Sequence, residues 1–163
     1  MEQIKLSFFQ TPDKFITEAK EVVAPFVTLF QNYIREISPV LKEFHSLFEK
    51  NDKGEYSEKI TETRTKSLNI KLSYFSDCVT DSIYISSGDI YPSRFAHFIT
   101  GCEIDVIMKT KKRITLVVSY LDGCGNKEFQ QFILRPTEDK WLLDYIGIGY
   151  EDVTGPFRKW NTI

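Results

Sequence analysis

Only two histidines and three cysteines occur among the 163 residues, and none of the five stands at a paired metal-ligand spacing. Cys78, Cys102 and Cys124 are odd in number and far apart, which argues against a disulfide framework and fits reduced thiols, buried or inert, in a cytosol. With His45 and His97 as the only imidazoles, structural zinc has no ligand set, and neither a metal nor a cofactor is expected. A basic excess is missing too: 21 Lys and Arg stand against 23 Asp and Glu, a net charge of −2, so nucleic acid is not an expected partner. No stretch approaches the ~18 apolar residues of a membrane span, and Met1-Glu-Gln-Ile-Lys-Leu-Ser-Phe-Phe9 lacks the basic region and cleavage site of a signal peptide. No membrane partner and a cytoplasmic location are the resulting expectations. A Gly-x-Ser-x-Gly elbow is absent, and Gly123-Cys-Gly125 is not followed by a helix pattern, so neither nucleophilic catalysis nor phosphate binding has a motif.

What the chain has is apolar and aromatic material. At 42% hydrophobic, with thirteen Phe and eight Tyr, it has the composition of one packed domain spanning residues 1–163. Thr11-Pro12-Asp13 reads as a helix start, with Thr11 as cap. Phe15, Ala19, Val22, Val23, Phe26, Phe30, Ile34 and Ile37 then recur at three- and four-residue steps, predicting a long helix kinked near Pro25. Ser38-Pro39 repeats the start signal, so Val40, Leu41, Phe44, Leu47 and Phe48 read as a second helix, packed beside the first and ending at Asn51-Asp-Lys-Gly54. Residues 55–71 have few apolar anchors and predict a short, partly exposed helix, an ordered loop or a linker.

The second half changes period. Ser82–Ser86 reads as a short strand, and Cys102–Lys109 alternates Ile104, Val106 and Met108 against Glu103, Asp105 and Lys109. Arg113–Leu121 is apolar on both faces, as a central strand would be, and Asp122-Gly-Cys-Gly-Asn126 is a hairpin turn before Lys127–Arg135. Thr137-Glu-Asp-Lys140 makes the next turn before the strand Trp141–Ile148, near whose end Gly147 and Gly149 mark a bend or bulge. Helices first and a meander afterwards predict an α+β fold, with the N-terminal helices packed on a curved antiparallel sheet as a cone.

A cone can enclose a small-molecule pocket, so an isomerase or dehydratase with Asp105 or Asp144 as base is one reading; Glu103 is a further inward candidate. Against it, charged residues are rarely fully buried, and these carboxylates fit a solvated sheet face. His97 falls in a loop beside Arg94 and reads as a surface histidine; Lys109-Thr-Lys-Lys-Arg113 reads as a solvated hairpin tip. Asp77, Asp81, Asp89, Asp122, Glu151 and Asp152 fall in loops or at strand ends, where they could meet a basic partner by electrostatic complementarity.

The paired helices, Leu72-Ser-Tyr-Phe75 before an acidic turn, Phe132-Ile-Leu-Arg135, and Asp139-Lys-Trp-Leu-Leu-Asp144 followed by Tyr145 resemble the nuclear transport factor 2-like superfamily. Within it, they are similar to immunity proteins of bacterial Rhs-type and other polymorphic toxin systems. The resemblance implies a Trp141 that packs the sheet against the helix. It also implies a non-catalytic cytoplasmic inhibitor that binds the C-terminal domain of one cognate toxin, with a homodimer through the sheet as a further possibility. It carries no binding motif, so the acidic residues above are the interface candidates.

Overall fold

A computed structural model of the chain describes residues 4–80, 82–86, 88, 90–150, 157–160, 162 and 163. The elements run β1 (Ile4–Ser7), α1 (Asp13–Glu49), α2 (Ser57–Phe75), α3 (His97–Thr100), β2 (Cys102–Thr110), β3 (Arg113–Leu121), β4 (Lys127–Pro136), β5 (Trp141–Tyr150) and β6 (Arg158–Trp160). This is an α+β arrangement: helices pack on an open, curved six-stranded sheet whose spatial order follows the chain. Pairing is antiparallel from β2 to β6, whereas β1 lies parallel to β2. A parallel neighbour needs a long crossover, and here the three helices supply it.

The two expected N-terminal helices are one. α1 is continuous for 37 residues through both Pro25 and Pro39. Its buried residues Phe15, Ala19, Val23, Val27, Phe30, Ile34, Ile37, Leu41 and Phe44 keep one phase across both prolines, so a single face docks on the core and holds the helix where each Pro deletes a backbone donor. Ser38, read as a cap, instead donates its hydroxyl back to the Ile34 carbonyl at 2.6 Å. Thr11 does not cap either. Its hydroxyl donates to the Val106 carbonyl at 2.6 Å and accepts from the Met108 N–H at 3.0 Å, extending the line of β1 along β2.

α2 is a full helix of 19 residues, longer than the expectation for residues 55–71. Its core-facing side includes Thr63, Ser67 and Lys71 among Ile60, Ile70 and Phe75, and these polar members hide the apolar period. Residues 82–86 form no strand. Tyr84 makes one isolated bridge, with Thr162, as Val79 upstream does with Leu143, too few to make a ladder.

Aromatic rings fill the space between helices and sheet. Phe30 of α1 lies with its centroid 4.7 Å from Phe98, 5.2 Å from Phe75 and Phe95, and 5.5 Å from Phe132. Each such pair adds roughly 0.5–1.5 kcal/mol beyond the area it buries. β2 alternates as expected, with Ile104, Val106 and Met108 buried and Glu103 and Asp105 exposed.

The bulge near the chain's end is not at the glycines. Leu134 pairs with Leu143 and Ile133 with Tyr145, which leaves Asp144 as the extra residue of β5. Gly147 and Gly149 serve a close approach: a Cβ built on Gly147 would stand 2.7 Å from the Phe157 Cβ, and one on Gly149 2.8 Å from the Phe157 ring.

Candidate functional site

The sheet register decides whether the acidic loops can act together. Asp77 follows α2 beside Val79, which bridges Leu143, and Leu143 pairs with Leu134 opposite Ile114. Asp122 follows Leu121 at the other end of β3. From residue 114 to residue 121 a strand advances about 23 Å, so these two carboxylates sit at opposite ends of the sheet and form no common patch. Asp122 is also occupied: Oδ1 accepts the N–H groups of Cys124 and Asn126, both at 2.8 Å, and Oδ2 accepts the Asn126 amide. The Asn126 side chain, then its N–H, holds this carboxyl below the usual carboxylate range. Its role is to order the β3–β4 turn. Asp81, Asp89, Glu151 and Asp152 lie outside the described residues.

The carboxylates considered as internal bases do not face the interior. Glu103 and Asp105 are exposed, and Lys5 reaches Glu103 at 3.5 Å. Asp144, thrown out of the ladder by the bulge, accepts from Arg135 Nε, from the Thr80 hydroxyl at 3.1 Å and from the Ser82 hydroxyl at 3.4 Å. It ties Thr80 and Ser82 to β5.

His97 is the reverse case. It opens α3, is only 4% exposed, and stacks on the Tyr120 ring with centroids 4.0 Å apart and planes 10° from parallel. Its Nε2 has no hydrogen-bond partner, and burial pushes its pKa down to about 3, so the ring is neutral at ordinary pH. The sequence placed it on the surface because Tyr91–Phe98 carries no periodic pattern; the packing of Phe95 and Phe98 draws the turn inward. Burial pushes the Cys102 thiol up to about 12 and raises that of half-buried Cys78, while Cys124 is exposed on the β3–β4 turn and so is not one of the buried thiols.

The surface feature that sequence reading missed is a groove of about 600 Å³ where the end of α1, the middle of α2 and the residues Gly88, Ile90 and Tyr91 meet. Phe48, 62% exposed, stands on α1, and Ile90, 59% exposed, stands on the loop, with Tyr91 beside it. The Phe44 and Phe48 rings stack at 6.1 Å, and the Arg64 guanidinium lies 5.3 Å over Phe44. His45 faces Tyr91 at 6.2 Å and meets Glu49 at 3.3 Å. The loop wall is held from below by Lys71, which is buried and donates to the carbonyls of Ser86 at 2.9 Å and Gly88 at 2.7 Å. Phe48 reads in the sequence as one more core anchor because it keeps the phase of α1, yet near the end of that helix it stands exposed.

Among the described residues no cluster of three or more His, Cys, Asp or Glu could hold a metal ion, and no helix is long and apolar enough to cross a membrane. Compared with protein-family models, curated proteins and solved structures, the chain matches none.

Proposed function

We propose that this chain is an immunity protein of nuclear transport factor 2-like fold that neutralises the C-terminal domain of a cognate bacterial toxin by binding it, without catalysis. The observation that carries this reading is the groove, where aromatic side chains and an arginine from α1, α2 and the loop stand exposed around one concavity. Aromatic residues and Arg are the types enriched at protein interfaces, and exposed rings that already share a cavity wall lose little conformational freedom on binding. The placement of Asp105 and Asp144 supports the same reading, because neither carboxylate faces the aromatic interior where an acid–base reaction would need it.

The groove replaces the acidic loops as the proposed contact surface. Co-expression with the toxin domain encoded immediately upstream, scored by growth and by co-purification, tests the function. Rescue with a stoichiometric complex is expected. Toxicity that persists without a complex counts against the immunity reading.

A further inference from the structure

A second concavity lies away from the groove, between α1 and the start of β5. Its volume is about 140 Å³. Phe30, Phe75, Leu134 and Leu143, each 2% exposed or less, make the floor. Leu29, Phe26, Cys78 and Trp141 stand around the rim and are partly exposed, so the crevice opens to solvent.

Among the described residues every side chain that lines it is uncharged, and only the Cys78 thiol and the Trp141 indole carry a polar hydrogen. The backbone at Cys78 is already used, its N–H by the Phe75 carbonyl at 3.1 Å and its carbonyl by the Leu143 N–H at 2.6 Å. A water held in such a space needs two to four polar partners, and an apolar cavity of about 150 Å³ stays dry and accepts benzene. Here the floor is aromatic and aliphatic, the size matches one ring, and the water that enters is poorly bound. Displacing such water with an apolar group is favourable.

From this geometry we infer that the crevice between α1 and β5 is a binding site for a small, neutral, apolar molecule of single-ring size. Trp141 and Phe26 supply ring contacts at the mouth, and the floor sets the depth. Phe30 and Leu143 close the crevice at its floor, and its uncharged lining offers a charged molecule no partner, so a single neutral ring is the favoured occupant.

The test is thermal unfolding of the full chain, followed by circular dichroism, with and without benzene. A ligand that binds only the folded state, at tenfold excess over its Kd, lowers the unfolding constant about elevenfold and raises Tm. Leu29→Trp fills the crevice and abolishes that rise; Val22→Phe is the second filling variant, should the first fail to fold. Independently, in a protein carrying Cys124→Ser, benzene slows alkylation of Cys78 by iodoacetamide to the same degree. The expected result is a rise in Tm that filling removes, together with protection of Cys78. Absence of the rise, absence of the protection, or a rise that survives filling overturns the assignment. None of these readouts involves the toxin.

Discussion

Thr11 bonds to both Val106 and Met108 from a buried position, so its hydroxyl continues the pairing that β1 began. Thr11→Val keeps the shape and strands a buried carbonyl and a buried N–H. The cost expected is about 1–3 kcal/mol, a fall in Tm of some 2–4 °C for each kcal/mol in a chain of this size, measurable by calorimetry. His97 gives the pH dependence. Its pKa is near 3 in the folded protein and near the ordinary 6.5 when unfolded. The unfolded state therefore takes up a proton that the folded state refuses, and stability falls as pH drops from about 6.5 toward 3. Between pH 7 and pH 5 the loss expected from this one group is about 2 kcal/mol. His97→Phe, which retains a ring over Tyr120, removes that part of the slope; urea unfolding midpoints of the parent and the variant at the two pH values check it. A slope unchanged by the substitution would show that His97 is accessible in the folded protein.

At the scale of elements, β5 illustrates how a strand is shaped by what crosses it. Phe157 lies over Gly147 and Gly149, and Tyr145 donates its hydroxyl to the Phe157 carbonyl at 2.8 Å. A methyl group at residue 147 meets the Phe157 Cβ and the Tyr145 side chain, both at 2.7 Å, whereas at 149 it meets only the Phe157 ring, which can swing aside. Gly147→Ala is accordingly expected to cost about 1–3 kcal/mol and Gly149→Ala clearly less, an order that chemical denaturation of the pair checks. The glycines are visible in the sequence, but their reason is not, because Phe157 reaches them only through tertiary folding. The same distinction runs through α1. Its apolar phase from Phe15 to Phe44 is legible without coordinates, yet Ser38-Pro39 carries a valid start signal, and only the shared docking face shows that the helix does not stop there. In α2 the legible signal fails for the opposite reason: Thr63, Ser67 and Lys71 occupy buried positions, so periodicity of apolar residues underestimates the helix.

For the whole molecule, the sheet acts as a ruler. It holds the β3–β4 turn with Asp122 at one end and the Asp77 segment near the other, which removes a single acidic face from these two residues. Exposed apolar side chains instead gather where helices and loop converge on Phe48 and Ile90. On the proposed function, Phe48→Glu and Ile90→Asp leave Tm within a few degrees, since both side chains are largely in water already. Each nevertheless weakens the toxin complex by ~2 kcal/mol or more, about 30-fold in Kd, as titration calorimetry would measure. A loss of binding that tracked a loss of folding would point away from the groove.

The strands β2 to β5, the turn at Asp122–Asn126 and the amphipathic phase of α1 are properties of neighbouring residues, and such local patterns bias the backbone before any distant contact forms. Those were readable from the order of amino acids alone. The parallel seat of β1, the continuity of α1 through Pro39, the burial of His97, the outward turn of Asp144 and the convergence of Phe48 with Ile90 were decided by the folded whole. Each depends on residues tens of positions apart meeting at one place, and on the free energy of filling that place, which no local spacing encodes.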